Sequence, residues 1–257
     1  MKKALLIIIF LFVSMELSAY KNTYALIIAI SDYKDQQDLK YTVNDARLFV
    51  NFLLSEKGGC VSEENIVTLI DYKASKINVI NKAKVLFAKV EENDRVIIYF
   101  SGHGNREAFM LYDTPIYYSE LQQLFKMAKC KSKIMFADAC YSGALKNKNN
   151  SRNSDDGKRD KDQQIAVMLS CSDNEVSIER GYPYEQGLFS YYLIKGLSGE
   201  ADRNNNGKIT IKELYTYVYR NTTDDAARGN SKQTPVLFGN FDLNLIVGYN
   251  TEKYNNN

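Results

Sequence analysis

The sequence predicts an α/β fold with a mainly parallel central sheet and helices on both faces. Three observations lead there. First, residues 24–31 (YALIIAIS), 65–70, 95–101, 133–140 and 164–171 are short, nearly continuous apolar runs ending at turn formers. Strands covered on both faces need such runs, rather than alternation. Second, the intervening segments carry helical spacing, and strands alternating with helices build a parallel sheet. Third, two of the runs end at chemistry-bearing residues, where such sheets gather their ligands.

Residues 1–19 come first in the chain. Lys2 and Lys3 precede a ten-residue apolar run, Ala4 to Val13, and small residues follow at Ser18 and Ala19. That is the layout of a secretory signal peptide cleaved after Ala19. The run is shorter than a bilayer span requires. Leu17 is a mediocre residue three places before the cut, so an uncleaved anchor stands as the alternative. The expectation is export, to the periplasm or beyond, with no stable membrane insertion after cleavage.

A main domain over 20–248 follows. After the strand at 24–31, NDARLFVNFLLSEKGG reads as a helix with Asn44 as its cap and Gly58–Gly59 as its stop. Past the strand at 65–70, Ser75 precedes a helical stripe of Ile77, Ile80, Ala83, Leu86, Phe87 and Val90. The strand at 95–101 leads to a short hairpin strand at 108–113 and a helix at 118–128. Residues 145–163 are almost wholly polar and charged. They read as a flexible linker between the strands at 133–140 and 164–171. A helix–loop–helix is expected over 187–221, and a disordered tail over 249–257.

The formal net charge is +2 and the basic residues are dispersed, which argues against a nucleic-acid partner. The four cysteines, Cys60, Cys130, Cys140 and Cys171, form no CxxC pair, which argues against a zinc site. No organic cofactor is implied. Pairing of Cys60 with Cys130 in an exported chain stays open. Cys171 reads as packing at a sheet edge.

The chain has one histidine, His103, between Gly102 and Gly104 at the end of the third strand. Cys140 ends the fourth strand. Neighbouring parallel strands would deliver both to one edge. A cysteine attacks as thiolate, which an imidazole supplies, and the imidazole then returns the proton to the leaving amine. The amides of Gly104 and Cys140 are candidate donors to the developing oxyanion. Taken alone, each residue reads more readily as packing; their conjunction on one edge points to catalysis.

YFSGHG and FADACYSG resemble the paired motifs of caspase-like cysteine peptidases, metacaspases and their bacterial relatives above all. The likeness runs from about residue 22 to 200, through YALIIAISDYKD, NDARLF and GLFSYYLIKGL. It implies a three-layer sandwich and a Cys–His dyad acting on peptides. The QAC signature of the caspases is absent, and Asp138 stands where they carry Gln. The resemblance further implies that Asp138, Asp45 and Ser101 line the pocket for the residue before the cut bond. Carboxylates there select Arg or Lys. Asp45 also reads as a helix-start residue facing the macrodipole. A basic-specific peptidase would find sites in its own linker, at Lys146, Lys148, Arg152, Lys158, Arg159 and Lys161.

Residues 202–213, DRNNNGKITIKE, match a twelve-position calcium loop. Asp202, Asn204 and Asn206 fill positions 1, 3 and 5, and Gly207 the sharp turn. Lys208 offers its carbonyl, Thr210 the water-linked position and Glu213 a bidentate carboxylate. Two carboxylates imply weak Ca2+ binding. No second loop is visible, and the loop differs from the acidic calcium site of metacaspases. Competing readings are a catalytically silent peptide-binding scaffold, a calcium-dependent interaction module, and a clostripain-like or legumain-like specificity. The oligomeric state is left open.

Overall fold

The computed structural model describes residues 20–140 and 164–250. The expected signal peptide (1–19) and linker (145–163) lie outside the described residues, as does the tail beyond Asn250. Among the described residues no helix is long and apolar enough to cross a membrane.

The sheet has six strands. β1 (Thr23–Ala29), β2 (Ile66–Ile70), β3 (Arg95–Ser101), β6 (Ser132–Asp138) and β7 (Gln164–Leu169) run parallel, and β11 (Val236–Asn240) is antiparallel on the edge. The order is β11-β7-β6-β3-β1-β2. Every residue of β3 and β6 is buried, as continuous apolar runs require. Even residues of β3 (Val96, Ile98, Phe100) join one core, and Ile97 and Tyr99 join the other. Such a period of two is the pleat of the strand.

Helices α2 (Lys76–Phe87) and α3 (Tyr118–Met127) cover the first face, with the hairpin of β4 (Ala108–Met110) and β5 (Pro115–Tyr117). Helices α1 (Thr42–Leu54), α4 (Leu188–Lys195) and α5 (Ile211–Arg228) cover the second. The result is three layers with the sheet in the middle.

Several local expectations change. Helix α1 starts at Thr42 with Tyr41 at its cap; Asn44 lies inside the first turn and donates instead to the Glu185 carbonyl at 2.7 Å. On α2 the buried stripe is Val79, Ala83, Leu86 and Phe87, while Ile77 is 62% exposed. Of the expected stripe, Ala83, Leu86, Phe87 and Val90 are buried and Ile80 is half-buried, while Val79 is buried in place of Ile77. Helix α5 runs seven residues past 221, to Arg228. The tail does not begin at 249: Tyr249 ends β12 (Ile246–Tyr249), which pairs antiparallel with β10 (Lys208–Thr210). The small hairpin of β8 (Glu179–Arg180) and β9 (Gln186–Gly187) had no sequence signal. All four cysteines are free thiols; Cys130 is buried and donates to the Ser132 carbonyl at 3.3 Å, so the open Cys60–Cys130 pairing is not made.

Phe49 ties α1 to the sheet. It is fully buried and stacks on Tyr99 with ring centroids 4.5 Å apart. Phe49→Ala should cost about 3–5 kcal/mol in urea unfolding. A loss below about 1 kcal/mol would mean that α1 is held mainly by other contacts.

Candidate active site

Ser101 and Asp138 face each other at the carboxyl ends of β3 and β6. The pairing continues one step, as Gly102 N donates to the Asp138 carbonyl at 3.1 Å. The chain then releases His103 from one strand end and Cys140 from the other, and both line one cleft. Their loops touch. A Cβ on Gly104 would lie 2.9 Å from the Cys140 carbonyl oxygen, and one on Gly102 would lie 2.5 Å from the Tyr33 hydroxyl. Neither glycine has a positive φ. Close approach, rather than an unusual turn, demands these two glycines.

His103 Nε2 lies 2.7 Å from the Gln37 carbonyl oxygen. A carbonyl only accepts, so in the neutral ring Nε2 carries the proton and Nδ1 is the basic nitrogen. Gly104 faces Phe109 across an antiparallel bridge. The bonds of that bridge are Met110 N to the His103 carbonyl and Asn105 N to the Ala108 carbonyl, each 2.9 Å. Gly104 is therefore in a non-hydrogen-bonded pair, and its own N–H points away from the hairpin. That orientation suits a donor to a substrate oxygen.

Burial pushes the Cys140 thiol above its ordinary range; a bond from the Ser177 main chain works against this, and the charges of Asp138 and Glu179 add to the rise. Cys140 therefore rests as a thiol and needs a base to become a nucleophile.

Carboxylates crowd the same cleft. Asp45, on α1, is 1% exposed and Asp138 5%. Asp45 accepts from the Ser101 hydroxyl at 3.1 Å and from Gly187 N at 3.0 Å. Asp138 accepts from the Ser190 hydroxyl at 2.7 Å, from Ser190 N at 3.1 Å and from the Ser177 hydroxyl. Burial raises both carboxyls, and Asp138 raises Asp45 further. Glu179 lines the cleft too and accepts from Tyr41 N at 2.8 Å and Lys40 N at 3.1 Å. Among the described residues no Lys or Arg lines the cleft.

The cleft thus brings together His103, Cys140, Asp45, Ser101 and Asp138, with Gly104 against the Cys140 carbonyl. Sequence reasoning missed Ser177, Glu179 and Gly187. Ser177 precedes, and Glu179 and Gly187 belong to, the short β8–β9 hairpin, whose pairing only the fold sets; Gly187 also opens the GLFSYYLIKGL stretch, but nothing in the sequence marked it as lining the cleft. Gly187 has a use: a Cβ there would run into the Asp138 and Asp45 carboxylates. Cys171 is packing, fully buried with its sulfur 3.3 Å from the Ala139 carbonyl.

The calcium-type residues are elsewhere. Asp202 Oδ1 accepts from Asn206 N and Oδ2 from Gly207 N, each at 3.1 Å. Asn204 donates to Glu213 Oε1 at 2.7 Å, and Asn206 Oδ1 accepts from Lys208 N at 2.8 Å. Thr210 and Glu213 form a reciprocal cap on α5, and Gly207 has φ 79°. Among the described residues no three His, Cys, Asp or Glu cluster to hold a metal. An ion in this loop would lean on amide and main-chain oxygens as well as on two carboxylates.

A family model described as the caspase domain matches residues 22–244. Metacaspase-1 of Eremothecium gossypii is 33% identical over 89 residues, which is 32% of this chain and 19% of that protein. The chain thus spans about a fifth of the length of this curated relative. A crystal structure of a Geobacter sulfurreducens protein superimposes with a TM-score of 0.62 at 17% identity, covering 84% of this chain and 92% of that one. Caspase-1 from Spodoptera frugiperda gives 0.66 at 17% identity, covering 90% and 92%. At that identity the two structures establish the fold.

If Cys140 rests as a thiol, its alkylation by iodoacetamide should accelerate steadily as pH rises above neutrality, with a midpoint above that of an ordinary thiol. A rate that has already reached its plateau below pH 7 would instead mean a preformed thiolate.

Proposed function

The chain belongs to the caspase domain family, and we propose that it is an exported cysteine endopeptidase cutting after Arg or Lys. The observation that carries this reading is the shared cleft: His103 and Cys140 at one sheet edge, beside buried carboxylates with no cation among the described lining residues. Nδ1 of His103 removes the Cys140 proton, and the sulfur attacks the peptide carbonyl carbon. The oxyanion forms against the Gly104 N–H. As the C–N bond breaks, the imidazolium returns its proton to the departing amine. Water, deprotonated by the same ring, then releases the acyl group from sulfur. Asp45, Ser101 and Asp138 receive the basic side chain, whose charge compensates carboxylates that burial disfavours.

Fluorogenic peptides ending in Arg, Lys, Asn and Asp test the reading. The Arg and Lys peptides should be cleaved and the others not, and Cys140→Ala should abolish turnover. Asp138→Asn should lower kcat/KM for Arg peptides about 10- to 100-fold, the loss of one charged hydrogen bond. Equal cleavage after Asp, or turnover by Cys140→Ala, would defeat the proposal. Linker cleavage at its basic residues belongs to the same reading. It predicts that wild type, but not Cys140→Ala, accumulates two fragments.

The oxygen-only donor set of 202–213 fits a hard cation, and its two carboxylates fit weak affinity, roughly 10⁻⁴–10⁻³ M. We propose that the loop takes Ca2+ through Asp202, Asn204, Asn206, the Lys208 carbonyl and Glu213, with Thr210 at the water-linked position. One observation favours this: strand β10 inside the loop is paired by β12, which supplies the strand a second loop would otherwise provide. Millimolar Ca2+ should raise the Tm of wild type and leave that of Glu213→Gln unchanged. Gln can keep the helix cap, so this variant removes charge without undoing α5. An equal rise in both proteins would disprove the site.

A further inference from the structure

His103 stands between two glycines, in a stretch that ought to be loose. The structure shows what restrains it. The His103 N–H donates to the Tyr33 hydroxyl at 2.7 Å. That hydroxyl donates onward to the Met110 carbonyl at 3.2 Å. Met110 N donates back to the His103 carbonyl at 2.9 Å. The three bonds form a closed ring, and both main-chain polar groups of His103 are consumed in it. The Tyr33 ring also packs on the imidazole, with centroids 4.7 Å apart and planes inclined by 41°.

Gly102 belongs to the same device, because its missing Cβ makes room for the Tyr33 oxygen. Tyr33 is only 6% exposed, and burial raises its phenol far above the ordinary range, so it stays an O–H donor. Its own position is set: Tyr33 N donates to Asp38 Oδ1 at 3.1 Å, in the loop whose Gln37 carbonyl meets His103 Nε2.

We propose that Tyr33 is a positioning residue for His103, its hydroxyl closing a hydrogen-bond ring that holds the imidazole at the cleft. The kinetic consequence rests on the peptidase reading; the geometric one does not.

The test compares full-length wild type, Tyr33→Phe and the control Tyr72→Phe, whose tyrosine is 66% exposed. Tyr33→Phe deletes one oxygen and keeps the ring that packs on the imidazole. For an Arg peptide, kcat should fall about 10- to 100-fold, the scale of a misplaced catalytic group. KM should stay within about twofold, since the carboxylate pocket is untouched. Alkylation of Cys140 by iodoacetamide should slow as well, with Tm within a few degrees of wild type. Tyr72→Phe should match wild type throughout. The proposal is overturned if Tyr33→Phe retains wild-type kcat and alkylation rate. It is also overturned if its losses vanish on assay well below its Tm, which would mark a merely structural role. A wild type that cleaves no peptide, yet alkylates faster than Tyr33→Phe, would sink the peptidase reading and leave the positioning role standing.

Discussion

The main-chain ladder between β3 and β6, running from Arg95 opposite Ser132 to Ser101 opposite Asp138, decides where His103, Cys140, Ser101 and Asp138 stand. Side chains alternate along a strand, so a slip of one residue would send Asp138 to the opposite face. In the observed register Ser101 and Asp138 share the face of Ile97, Tyr99, Ile134 and Phe136, which is the face that α1 and α4 cover. Helix α1 brings Asp45 there, and the start of α4 brings Gly187 and Ser190. The carboxyl-end loops of the same two strands carry His103 and Cys140. Backbone pairing thus sets the proposed nucleophile, the proposed base and the cleft together, which ties the apolar runs to the site in this fold.

The carboxylates pose an energetic problem that the protein solves only in part. Each buried charge costs several kcal/mol in desolvation, and a hydrogen bond to a charged group returns about 1.5–3 kcal/mol. Asp138 has three donors, from Ser177 and twice from Ser190. Asp45 has two, Ser101 and Gly187, and also feels the charge of Asp138. Asp45 therefore has the fewer donors of the two, and burial raises both carboxyls. Under the proposed basic preference, a guanidinium or ammonium entering from outside would relieve both at once, and a neutral or acidic side chain would leave or worsen the deficit.

Much of this was legible in the sequence, and the boundary has physical causes. Strands buried on both faces announce themselves, and 95–101 coincides with β3 to the residue. That His103 and Cys140 line one cleft was legible from the strand ends. Ile77 misled because three apolar positions at helical spacing fit two phases of α2, and only packing chooses between them. Strands β11 and β12 escaped because edge pairing depends on partners distant in the chain. Glu179 and Ser177 carry no periodicity, and Tyr33 looked like any residue of a turn. Its role appears only when Met110 is brought back beside it by the β4–β5 hairpin.

The two walls of the cleft owe their rigidity to different things. One wall is the sheet edge, held by main-chain bonds. The other includes the β8–β9 hairpin, tied to the start of α1 through Glu179, Glu185 and Gly187 and to α5 through a buried carboxylate. Asp225 is 7% exposed and receives Tyr192 at 2.8 Å, Tyr184 at 3.3 Å and Arg180 at 3.4 Å, and Arg180 also donates to its main-chain carbonyl at 3.2 Å. Gly229, just past α5, lies so close to Arg180 that a Cβ would come within 2.6 Å of the guanidinium. Gln233 braces the segment before the hairpin, accepting from Ile178 N at 3.0 Å and donating to the Ser177 hydroxyl at 3.1 Å. Glu179 is held from the start of α1, by Lys40 N and Tyr41 N, and Ser177 by both Asp138 and Gln233, whereas His103 and Cys140 follow the ends of β3 and β6. On the proposed reading, the reacting pair rests on main-chain bonds of the sheet, and the segment carrying Ser177 and Glu179 rests on polar side-chain contacts. On the same reading, loosening the Asp225 contacts would disturb the hairpin wall before the strand ends that carry His103 and Cys140.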